Sequence, residues 1–121
     1  MDINYFLPGQ LWLYDARASE PDSSLTILKI DDLEEDVIVH VRIDNVRLND
    51  TLGYVAHLPF SADVLWESLT AFVKHLEKIP DFAEEYRLWK EKFDNGTTSY
   101  LKVPVKEVLD EIEGNQNNKA I

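Results

Sequence analysis

The chain has no cysteine. This excludes a disulfide scaffold, thiolate zinc sites, iron–sulfur clusters and every cysteine-nucleophile mechanism. Glycine is nearly as scarce, four in 121 residues, and none belongs to a phosphate-cradling loop. There is no G-x-S-x-G elbow and no H-E-x-x-H pair, so nucleotide binding and the commonest hydrolase and metalloprotease signatures are missing. Positive charge is also short: 12 lysines and arginines against 23 aspartates and glutamates give a net charge of −11. Such a surface repels a phosphate backbone, so no nucleic acid is expected as a partner, and a basic protein is. No apolar run approaches the roughly 20 residues of a spanning helix, so no membrane role is expected. The first thirty residues lack a basic n-region and an apolar stretch of signal length, which predicts a cytoplasmic protein.

What is present suffices for one core. With 45% hydrophobic residues over this length, a single α+β domain is expected over residues 1–113, followed by a disordered tail at 114–121 that is polar and aperiodic. Four strands are read from alternation and turn residues. Gln10 to Asp15 follows Pro8-Gly9 and sets Leu11 and Leu13 against Trp12 and Tyr14. Leu25 to Ile30 is rich in β-formers. Val37 to Ile43 places Val37, Val39, Val41 and Ile43 on one face, with Ile38, His40 and Arg42 on the other. A polar loop at Asn49 to Gly53 precedes Tyr54 to Phe60, the fourth strand.

The period then changes to 3.6. Leu65, Leu69, Phe72, Val73 and Leu76 form one stripe from Ser61 to Pro80, predicting a long helix. Asp81 and Glu84 open a second helix carrying Phe82, Tyr86, Trp89 and Phe93, closed by Asn95-Gly96. A short strand at Tyr100 to Val103 leads to a helix begun by Pro104. The expected fold is therefore a four-stranded, strongly twisted antiparallel sheet, curled into a partial barrel, then two packed helices, a short strand and a C-terminal helix.

Charge is unevenly placed. Residues 1–60 hold 11 acids and 4 bases, residues 61–121 hold 12 and 8, and the densest run is Asp31-Asp32-Leu33-Glu34-Glu35-Asp36 between two strands. This turn, through Asp31, Asp32, Glu34, Glu35 and Asp36, is the candidate contact for a basic partner. A second group combines Trp12, Tyr14, Arg17 and Glu20 with His40 and His57, which adjacent strands can bring to one side. If Trp12 and Tyr14 face solvent, they and Arg17 have the composition of a binding hot spot. If they face the helices they are core, which the usual burial of large aromatics favours. Arg17 suits a carboxylate or phosphate, and a histidine can exchange a proton near neutrality. No metal or other cofactor is expected: no two histidines stand four apart on a helix, and a strand pair needs a third ligand that spacing does not identify.

Several segments together resemble one family of small bacterial proteins: Gly9-Gln10-Leu11-Trp12-Leu13-Tyr14, then Arg17 and Glu20 ahead of Ser24 to Ile30, His40, and Pro80-Asp81-Phe82 leading to Tyr86, Trp89-Lys90 and Phe93. The closing segment from Val103 to Glu113 is also similar, so the likeness spans about residues 9 to 113. It departs at Thr97-Thr98-Ser99, where the family has a glycine-containing turn. The resemblance implies a shared fold and no catalytic residues. In size and charge the chain is similar to immunity proteins, which neutralise basic toxins. The expected function is accordingly non-enzymatic: a protein-binding module of immunity or regulatory type, with homodimerisation open. The alternative is a small-ligand binder or weak enzyme with a polar pocket between sheet and helices.

Overall fold

The computed structural model describes residues 6–119, with side chains through residue 114. Its elements are β1 (Gln10–Tyr14), β2 (Ser24–Asp32), β3 (Val37–Leu48), β4 (Thr51–Ser61), α1 (Ala62–Ser68), β5 (Leu69–His75), α2 (Ala83–Asp94) and α3 (Val105–Lys119). The fold is α+β, and its sheet has five strands in the order β4-β3-β2-β1-β5, every pair antiparallel. The sheet is open, with β4 and β5 as edges, where a four-stranded partial barrel was expected.

The largest correction concerns the helix read from Ser61 to Pro80. It lasts only from Ala62 to Ser68, and the chain becomes extended at Leu69, with φ −75° and ψ 141°. Leu65, Leu69, Phe72 and Val73 do recur at helical spacing, but Thr70, Phe72 and Val73 are also strand formers. The free edge of β1 needs a hydrogen-bonding partner, and β5 supplies it by pairing Trp12 with Phe72 and Leu13 with Ala71. Tertiary demand thus overrides local period. In the sheet, Phe72 and Val73 are each 46% exposed rather than buried. The strand expected at Tyr100 to Val103 reduces to one parallel bridge between Phe60 and Leu101.

Strand ends also shift. The polar loop expected at Asn49 to Gly53 is a two-residue turn in which Asn49 and Asp50 both take positive φ, 54° and 65°, so β4 begins at Thr51. That pattern is the type I′ hairpin signature, and asparagine and aspartate tolerate it best after glycine. Helix α3 runs through Lys119, past the boundary expected at residue 114.

The helices divide between the two faces of the sheet, where a packed helix pair on one side was expected. Leu25, Ile27, Val39, Val41 and Ile43 join Leu65 of α1 with Val105, Val108 and Leu109 of α3 in one buried cluster. A bulge at Asn45, with φ 58°, returns Val46 to this face. His40 lies between Val39 and Val41 and therefore points the other way, where Tyr86 and Trp89 of α2 meet it.

Candidate functional site

On the α2 face, four side chains from four elements form one hydrogen-bonded line. His57 of β4 contacts His40 of β3 through Nε2 and Nδ1 at 2.8 Å. His40 Nε2 meets Asp31 Oδ2 of β2 at 2.9 Å, and the Tyr86 hydroxyl of α2 donates to the same oxygen at 2.9 Å. Register explains the assembly: His40 stands opposite Lys29 on one side and Pro59 on the other, and a bulge between Val41 and Ile43 brings His57 beside it. The imidazole planes lie within 13° of parallel with centroids 5.0 Å apart, the separation an in-line nitrogen–nitrogen contact produces.

The carboxylate determines where the protons sit. Asp31 has none to give, so His40 donates from Nε2 and its Nδ1 becomes an acceptor. His57 therefore donates from Nε2, leaving its own Nδ1 unprotonated. Among the described residues no buried side-chain nitrogen or oxygen lacks a hydrogen-bond partner, and His57 Nδ1 makes no bond, so it reaches solvent. A proton taken up there creates a cation whose opposite N–H already points through His40 toward Asp31. Burial, with His40 adjacent, holds His57 down at about 4, and burial also lowers His40 against the pull of Asp31. Both rings are neutral near pH 7. Tyr86 is pushed up to about 12 by burial and by Asp31, which keeps its hydroxyl a donor.

Aromatic packing encloses the line. Trp89 meets the His40 ring edge-on at 4.8 Å and donates from its indole to the Ser99 carbonyl at 3.0 Å. Lys29 places its ammonium 5.3 Å from the centre of the Tyr86 ring and 3.9 Å from Asp31 Oδ1. Beside them opens a groove of 440 Å³ between Lys29 and the segment from Ile79 to Tyr86.

The group proposed from sequence is divided in three. His40 and His57 come together, as expected for adjacent strands. Arg17 and Glu20 lie elsewhere and are consumed in structure. Arg17 bonds Glu20 at 2.5 Å, Asp110 and Glu113 of α3 at 3.1 Å each, and the Arg47 carbonyl at 2.7 Å, while Glu20 also accepts from the Arg47 amide. Glu20 is buried, and Arg17 has its donors committed, so neither is free to hold a ligand's carboxylate or phosphate as expected. Trp12 and Tyr14 turn to the α1/α3 side. Tyr14 is core, its hydroxyl donating to Ser23 at 2.7 Å, and half-buried Trp12 packs edge-on against Trp66 and Phe72.

The acidic run is divided as well. Asp31 is taken by His40 and Tyr86, and Asp36 Oδ1 accepts the Val37 amide at 2.8 Å. Asp32, Glu34 and Glu35 remain exposed. With Asp36, and with Asp63 from the first turn of α1, they line a concavity of 250 Å³ that has no basic residue in its lining among the described residues.

Sequence reasoning missed Tyr86, Trp89 and Lys29. The helical spacing of Tyr86 and Trp89 was visible, but spacing alone carries no hint that they close over two histidines. Among the described residues no helix is long and apolar enough to cross a membrane, and no cluster of three or more histidines and acids has metal-binding geometry. No protein-family model matches the chain, and neither curated proteins nor solved structures give a match.

Proposed function

We propose that the protein is a non-enzymatic binding module for a basic protein, of immunity or regulatory type, acting in the cytoplasm. The observation that carries this reading is the acid-lined concavity where the β2–β3 turn meets α1. Five of its eight lining residues are acidic, and it has room for one lysine or arginine side chain. Carboxylates converging on a partly enclosed space attract a cation more strongly than the same charges spread over open surface. The net charge of −11 adds long-range steering of a basic partner and sharp dependence on salt.

The test is capture of a basic partner at low and high ionic strength, by the natural chain and by a variant carrying Asp32→Lys, Glu34→Lys and Glu35→Lys. Asp31 and Asp36 stay unchanged because the fold uses both. The expected result is capture that weakens with salt and disappears in the variant, with an unaltered thermal midpoint. Capture that ignores both salt and charge reversal rejects the proposal.

A further inference from the structure

The groove on the α2 face has a composition unlike the acidic concavity. Five of its seven lining residues, Ile79, Pro80, Phe82, Ala83 and Tyr86, offer apolar or aromatic surface, and the other two are one cation and one anion, Lys29 and Asp81. We propose that this groove binds an apolar α-amino acid, with its carboxylate on Lys29, its ammonium on Asp81 and its side chain against the Phe82 and Tyr86 rings.

Both charges are available. The Lys29 side chain is 42% exposed, and its nearest carboxylate, Asp31, stands at the 3.9 Å limit of an ion pair with its other oxygen held by His40 and Tyr86. Asp81 uses Oδ1 to accept the Ala83 amide at 3.0 Å, and Oδ2 has no partner among the described residues. The volume of 440 Å³ exceeds that of any single amino acid and lies in the ordinary range of ligand clefts.

Charge then selects among amphipathic ligands. A simple organic anion meets repulsion from a surface of net charge −11 and from Asp81 itself. A simple organic cation on Asp81 shares the groove with the Lys29 ammonium, which repels it and gains no partner. A zwitterion has no net charge to be repelled and gives each charged wall an opposite partner. Its apolar side chain covers Ile79, which is exposed, and Phe82, which is only partly buried.

The experiment is an NMR titration of the full chain with L-phenylalanine, following the Phe82 and Tyr86 ring signals. Parallel titrations use 2-phenylethylamine, which lacks the carboxylate, and 3-phenylpropanoate, which lacks the ammonium. The expected result is a saturable shift with phenylalanine and binding of each half-ligand at least about tenfold weaker. Lys29→Met, which keeps the apolar stem, brings phenylalanine down to the affinity of the amine. Asp81→Asn, which keeps an acceptor for the Ala83 amide, brings it down to that of the carboxylate. Unchanged circular dichroism verifies that both variants fold. Equal binding of the amine, equal binding of the carboxylate, or no saturable shift in the folded protein each overturns the proposal.

Discussion

Each face of the sheet holds fully buried side chains, by different means. On the α1/α3 face, Leu25, Ile27, Val39, Val41 and Ile43 are fully buried and held by non-directional packing. On the α2 face His40 is just as inaccessible, but its burial depends on a partner for each ring nitrogen. An apolar face needs volume filled. A polar face needs every donor matched to an acceptor, and gains a defined arrangement of protons in return. The first comparison to press is therefore one of volume. Phe60, fully buried in the apolar cluster, is one of its two largest fully buried side chains. Phe60→Ala is expected to cost about 3–5 kcal/mol in urea unfolding with an unchanged m-value. A cost below that of the polar-face changes described next means that the α1/α3 side does not dominate stability.

Acid separates the faces without mutation. In the folded protein His57 stays neutral down to about 4, whereas an unfolded histidine protonates near 6.5. Between those values the unfolded chain binds a proton that the folded chain refuses, so the stabilising effect of the neutral ring is complete above 6.5 and lost as pH falls to about 4. His40 is shifted in the same direction and adds to the effect. The loss is about 2–3 kcal/mol, since His57 is only partly buried. The buried cluster of the α1/α3 face is built from side chains that do not titrate in this range. Urea midpoints measured from pH 8 to 4 should show this fall, and His57→Gln should flatten it. An unflattened profile in that variant assigns the acid sensitivity elsewhere.

The same contrast governs what could be read from sequence. Val37 to Ile43 alternates cleanly, and its wholly apolar side, Val37, Val39, Val41 and Ile43, is the one that meets α1 and α3. The pairing of His40 with His57 was legible as strand neighbours. Its completion was not, because Asp31 sits in an acidic run that reads as solvated turn, and Tyr86 arrives from 55 residues along the chain. Arg17 misled for a related reason: its four partners lie as far away as Asp110 and Glu113, so a committed guanidinium looked free. The β5 segment shows the opposite limit, where a helical stripe was real as a pattern and the unpaired edge of β1 outweighed it. Periodicity reports which residues prefer burial. It does not report which backbone or side-chain groups are still missing a partner.

The finest test of the difference removes one oxygen. Tyr86→Phe keeps the ring that packs beside His40, Phe82 and Trp89 and deletes only the hydroxyl that donates to Asp31. A hydrogen bond to a charged acceptor contributes about 1.5–3 kcal/mol. Here the cost should fall at the low end, about 1–2 kcal/mol, because Asp31 retains His40 and Lys29 and is exposed enough for water to replace the lost donor. The hydroxyl is a direct side-chain tether from α2 to β2, and Trp89 is the one residue of α2 that is buried. Amide hydrogen exchange should therefore quicken across Ala83–Asp94 while Val39 and Val41 keep their protection. Equal acceleration in helix and strands means that the two faces unfold as one unit, and the distinction between packing by volume and packing by partner then holds for structure but not for dynamics.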